Sequence, residues 1–124
     1  MGALGLDDRA REEAESAVRR GAVYWVNLEP ASPPEMGKLR PAVVVSNGLQ
    51  NQRIDSVVVV PLSTRAPEIW PLRVKIPVAG LRESYAVVPG IRQASKLRLH
   101  ELIGHIDRRA LDSLSDAVAV YLAD

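Results

Sequence analysis

The chain has no cysteine and no phenylalanine, only two histidines, and five aromatic residues in 124. Without cysteine there is no disulfide framework, no thiolate zinc site and no cysteine nucleophile. His100 and His105 are the only imidazoles, too few for a histidine-rich metal centre. No apolar run approaches the roughly 20 residues of a membrane-spanning helix, and the first residues lack the apolar core of a signal peptide. The expectation is a cytoplasmic protein with no membrane anchor, no thiolate or histidine-rich metal centre, and no cofactor that the sequence calls for.

What is present is the material of one folded domain. Hydrophobic residues make up 47% and charged residues 25%, the balance of a packed chain rather than a disordered one. The length leaves room for one full core. The net charge of +1 is unevenly spread. Residues 1–18 hold two arginines against five acids, whereas residues 35–98 hold ten basic side chains against four acidic ones. A basic middle is compatible with a phosphate-bearing partner. The acidic leader reads as a solvated face.

All nine prolines lie between Pro30 and Pro89, and the helix-like stretches fall outside that window. The leader LDDRAREEAESAVRR reads as a helix capped by Asp7 or Asp8, with i, i+4 pairs such as Arg9–Glu13 and Arg11–Glu15. Segments 22–28, 41–47, 56–62, 72–78, 85–90 and 101–106 read as short strands with Pro, Gly or Asn at most boundaries. Continuous runs at Val43–Val45 and Val57–Val60 predict strands covered on both faces or closed into a barrel. Alternation of Leu72, Val74 and Ile76 with Arg73 and Lys75 predicts one wet face. At the C-terminus Asp107 is a natural N-cap, and Leu111, Leu114, Val118, Tyr121 and Leu122 form one helical stripe. Short strands closed by one packed helix suggest a small, mostly β barrel with helical additions.

Three segments together carry a resemblance. RRGAVYWVNLEP (19–30), GKLRPAVVVSN (37–47) and VVVVPLST (57–64) resemble, in order and spacing, the MazF/PemK family of toxin endoribonucleases. That family opens with a basic-Gly-x-hydrophobic-aromatic strand ending in Pro. A glycine-containing loop, an Arg-Pro pair before a valine-rich strand, and a strand ending in Pro-hydrophobic-Thr/Ser follow. IRQASKLRL (91–99) and IGHID (103–107) are similar to its final strands and helix entry. The resemblance implies a toxin domain over 19–124, with 1–18 as a helical or frayed extension. It also implies an SH3-like β-barrel with a C-terminal helix and a homodimer. Its activity would be metal-independent, sequence-specific cutting of single-stranded RNA, neutralised by a MazE-like antitoxin protein. Two rivals remain: a gyrase-poisoning toxin of the CcdB type, and a catalytically silent SH3-like binding module.

The resemblance assigns Arg40 and Ser63 as the catalytic pair. On position alone, Arg40 reads as a surface arginine tied to a carboxylate such as Glu35. Pro41 restricts it to extended conformations, and its planar guanidinium suits a phosphate. Ser63 stands where family members usually carry Thr; its plainer use is a hydroxyl bonding its own backbone at a strand end. Thr64 is adjacent and able to share the role. Glu35, Lys38, Asn47, Gln50, Asn51, Arg65 and Arg73 are expected to line an RNA groove, and Arg92 to contact phosphate. Of the adjacent Tyr24 and Trp25, one faces inward and the other outward. Trp70, flanked by a proline, is a candidate for stacking on a base or for an interface. His105 reads as a strand-face residue. The family often carries Asp-Gln before the Ile-Arg pair, but here the run is Val88-Pro89-Gly90-Ile91-Arg92, so that aspartate is absent.

Overall fold

The valine-rich segments form the middle of an antiparallel sheet in the computed structural model, which describes residues 17–124. Seven strands follow in chain order: β1 (Ala22–Asn27), β2 (Leu39–Val44), β3 (Ser56–Ser63), β4 (Arg73–Ile76), β5 (Ser84–Val87), β6 (Arg92–Ser95) and β7 (Leu99–His105). Helix α1 (Gly48–Arg53) lies between β2 and β3, and α2 (Arg108–Leu122) follows β7. The hydrogen-bonded order is β4-β5-β3-β2-β1-β7, with β6 against the first half of β3. β3 is therefore shared: Ser56–Val59 pair with β6, while Leu62 and Ser63 pair with β5.

The expected class, mostly β with a C-terminal helix, is what the chain forms. The closed barrel is not. Among the described residues the ladder runs from β4 at one edge to β7 at the other, and no pairing joins those edges. Side chains take over where backbone pairing stops: α2 packs against β4 and the turn Val88–Gly90, burying Leu111, Leu114 and Ala117 with Val74 and Ile76.

Two cores explain the unbroken valine runs. Alternate side chains of a strand point to opposite faces. Val43 and Val60 enter the core beneath α2, whereas Val44, Val57 and Val59 join Val26, Leu28 and Ala94 on the other face. Tyr24 packs against this second core, and burial pushes its phenol above the ordinary value. In β4, Val74 and Ile76 are buried as expected, but Leu72 precedes the strand and is exposed.

Asp107 caps α2 as expected, its carboxylate accepting from the Ala110 N–H at 2.8 Å. The predicted stripe lies on one helix, but only its first part is buried. Tyr121 is 40% and Leu122 66% exposed, because α2 runs past the edge of the core. At the other end Val18 is buried, and the Arg20 guanidinium donates to the Ser115 hydroxyl of α2. The expected leader helix falls mainly on residues 1–16, outside the described residues; Ala17–Arg19 carry no regular structure.

Candidate active site

β2 and β3 diverge at one end. Their pairing runs through Val44↔Val59, Val43↔Val60 and Ala42↔Pro61 and then ends. Pro61 and Pro41 lack an N–H and cannot donate to a ladder, which accounts for the stop. Two residues beyond the last pair along each strand stand Arg40 and Ser63. There the strands frame a groove of about 330 Å³, whose walls include Trp25, Pro41, Leu62 and Leu81. Among the described residues its polar side chains are Arg40, Ser63, Thr64, Arg82 and Ser84, with no carboxylate in the lining.

The loop before β2 aims Arg40. Lys38 adopts a left-handed φ of +70°, unfavourable for a side-chain-bearing residue, and Glu29 braces it by accepting its N–H at 2.5 Å. The Leu28 N–H donates to the Lys38 carbonyl at 2.9 Å. Gly37 fits against this brace because a Cβ there would meet the Glu29 carboxylate at 2.5 Å. The Gly37 carbonyl then accepts Arg40 Nε at 2.8 Å. One edge of the guanidinium is thereby fixed. Among the described residues its two outer nitrogens have no protein partner, and no carboxylate pairs with it. The plainer expectation of an Arg40–Glu35 pair is overturned: Glu35 instead accepts the Ser32 N–H at 2.8 Å.

Ser63 serves two purposes at once. Its hydroxyl oxygen accepts the Arg65 N–H at 3.1 Å, the local bond a strand-end serine commonly makes. Its own proton remains available to an acceptor in the groove. Pairing of Ser63 with Tyr85 and Leu62 with Ala86 draws the segment 81–84 alongside. That segment contributes Arg82, which sequence reasoning missed. The only signal was a basic residue two positions after Gly80; the skip from β3 to β5, past β4, is a long-range pairing with no local signature.

The other expected residues are scattered. Glu35 and Arg92 line a second pocket of about 390 Å³ with Pro89 and Met36. Arg92 is partly committed there, its Nη1 donating to the Leu28 carbonyl at 3.2 Å. Asn47 caps α1, accepting the Leu49 N–H at 2.8 Å. Asn51, expected in the groove, is instead 1% exposed and holds Val18 and Ser46 by side-chain hydrogen bonds. Lys38, Arg65, Trp70 and Arg73 line neither pocket. Trp70 is 50% exposed in the loop before β4, and Arg73 is half-buried with its Nε unpartnered among the described residues. Of the adjacent aromatics, Trp25 walls the groove while Tyr24 packs on the second core. His105 is exposed on edge strand β7, as expected. No three His, Asp or Glu side chains among the described residues are grouped as metal ligands would be, and no described helix is long and apolar enough to cross a membrane.

Comparison with known proteins adds the context. Residues 19–122 match the PemK-like, MazF-like toxins of type II toxin–antitoxin systems. Endoribonuclease MazF9 of Mycobacterium tuberculosis is 31% identical over 113 residues, covering 85% of this chain and 96% of that protein. Endoribonuclease EndoA of Bacillus subtilis is 29% identical over 110 residues, covering 86% and 95%. A solved endoribonuclease bound to its cognate antitoxin, from Mycobacterial species, aligns with a TM-score of 0.72 at 25% identity, covering 86% of this chain and 95% of that one. The family match begins at the turn before β1 and ends with the last residue of α2, so it takes in both the open sheet and the groove at its splayed end. The chain belongs to the PemK-like, MazF-like toxin family.

Proposed function

We propose that this chain is a toxin endoribonuclease that cuts single-stranded RNA at specific sequences, with Arg40 and Ser63 acting on the reacting phosphate and no metal ion taking part. The observation that carries the site assignment is the shared groove. Arg40 and Ser63 both line the groove beyond the last β2–β3 pair, and the outer nitrogens of Arg40 are unengaged among the described residues.

In the reaction the ribose 2′-oxygen attacks the adjacent phosphorus, its proton passes to a base, and the 5′-oxygen departs with a proton. The products are a 2′,3′-cyclic phosphate and a free 5′-hydroxyl. Negative charge grows on the phosphorus oxygens in the transition state, where a pre-aimed guanidinium stabilises it more than in the ground state. Ser63 or Thr64 donates a hydrogen bond to a non-bridging oxygen. Two arginines and no carboxylate among the described lining residues favour a phosphate in the groove.

The same reading makes the protein a cytoplasmic homodimer, held off RNA by the acidic tail of a MazE-like antitoxin that competes for the basic groove. Exposed Leu102 on edge strand β7, with Tyr121 and Leu122 on α2, supplies apolar surface for pairing. The test is incubation with a long RNA in EDTA. Discrete fragments with 5′-hydroxyl ends are expected. Dependence on added magnesium, or 5′-phosphate ends, would overturn the mechanism; intact RNA would favour a gyrase-poisoning or silent binding module.

A further inference from the structure

Arg82 borders a second space besides this groove. Leu81, Arg82 and Ser84 also line a compartment of about 370 Å³, whose other walls include Pro77, Ala79, Lys75 and Glu83. The Arg82 segment is held firmly: Ser84, 5% exposed, donates its hydroxyl to the Arg82 carbonyl at 2.7 Å, and the Leu81 N–H closes a turn onto the Val78 carbonyl at 3.1 Å.

The neighbouring charges leave Arg82 free. Glu83, the adjacent carboxylate, is taken by Lys75 in a 2.7 Å ion pair. Among the described residues Arg82 makes no ion pair and its side chain donates no hydrogen bond. An exposed guanidinium on a braced segment, bordering two open spaces, suits a repeating anionic ligand that passes over it from one to the other. Free phosphate would need only one of them.

Resting on the endoribonuclease reading above, we propose that Arg82 binds a second phosphate of the RNA strand, beside the one held by Arg40, and that the compartment beyond seats the nucleotide attached to it. Substrate recognition then extends at least one nucleotide from the cut on the Arg82 side.

The experiment measures binding of single-stranded RNA carrying 2′-deoxyribose at the cut position, from dinucleotide to hexanucleotide, over a range of salt. Arg82→Ala is expected to weaken hexanucleotide binding by about 10-fold at low salt and to make the log–log salt slope shallower by about 0.7. The weakening should grow with oligonucleotide length. Arg82→Lys should restore most of the affinity, since a positioning contact to phosphate needs charge more than a fork. An equal loss on the dinucleotide, an unchanged salt slope, or wild-type affinity in Arg82→Ala would each overturn the proposal. If wild type binds and cuts RNA but Arg82→Ala matches it throughout, only this inference falls. If wild type binds no RNA, the endoribonuclease reading falls with it.

Discussion

The two ends of the β2–β3 pair are built from the same strands and do opposite work. At one end Val43 and Val44 face Val60 and Val59, and each alternate valine is sealed into a different core. At the other end, past Pro41 and Pro61, the ladder stops and Arg40, Ser63 and Thr64 open onto solvent-filled space. Under the proposed function, the rigid end anchors the splayed end so that polar groups there meet a substrate with little reorganisation. Packing and the proposed chemistry then lie only two residues apart along each strand.

The sharpest way to break that contrast is at Arg40. Arg40→Ala should lower kcat/KM on RNA by ~10²-fold or more, about 2.7 kcal/mol of transition-state stabilisation. Arg40→Lys should recover little, because an ammonium cannot reproduce the fork fixed by the Gly37 carbonyl. Melting temperature should barely move. A large stability loss with activity retained per folded molecule would mean that the splayed end is structural after all.

Val59→Ala is the mirror experiment. Val59 is fully buried in the second core, and removing its two methyls should destabilise the fold by about 2 kcal/mol, roughly a 10 °C fall in melting temperature. Well below that melt, cleavage per folded molecule should match wild type. Equal damage to both readouts would erase the separation between the two ends.

The same contrast divides what could be read from the sequence. Buried valines announce themselves because continuous apolar runs have one physical cause, and Asp107 announces a helix start by its cap. Strand β6, with sequence RQAS, has too few apolar side chains to show a period; only the family resemblance over 91–99 pointed to it, and it forms by pairing with β3. Helix α1 was hidden because Asn47-Gly48 reads as a turn, while Asn47 in fact caps one and a half turns of helix. At the proposed site, Arg40 and Ser63 stood out only because the Arg-Pro and Pro-Leu-Ser patterns resemble those of the family. Arg82 did not, since β5 reaches β3 by skipping β4, and such pairings leave no mark in local sequence.

A smaller effect is expected at Ser63, whose hydroxyl has a neighbour able to share its role. Ser63→Ala should cost about 10-fold in kcat/KM, roughly 1.4 kcal/mol. Adding Thr64→Val should cost more than the two single losses multiplied, which is how shared groups behave in a double-mutant cycle. Strict multiplicativity would show that Thr64 never substitutes.

The smallest expected effect lies at the groove's outer rim, where the Lys75–Glu83 pair keeps a carboxylate away from Arg82. Lys75 holds the Glu83 carboxyl below its ordinary value of 4.5, and Glu83 raises the Lys75 ammonium above 10.5. The lowered carboxyl contributes stability that is present above pH 4.5 and is lost as pH falls through its folded value. The raised ammonium contributes stability present below pH 10.5 and lost as pH rises through its folded value. The pair is therefore intact across the neutral range and dissolves only at the extremes. Both side chains are more than half exposed, so solvent and salt screen the gain. Glu83→Gln should melt slightly below wild type near neutral pH, and the gap should close in strong acid and in about 1 M salt. RNA affinity should rise rather than fall, because the substitution leaves Lys75 unpaired beside Arg82 and removes a negative charge. A gap that survives strong acid would show that Glu83 acts through packing and not through charge, and the rim would then belong with the rigid end of the sheet.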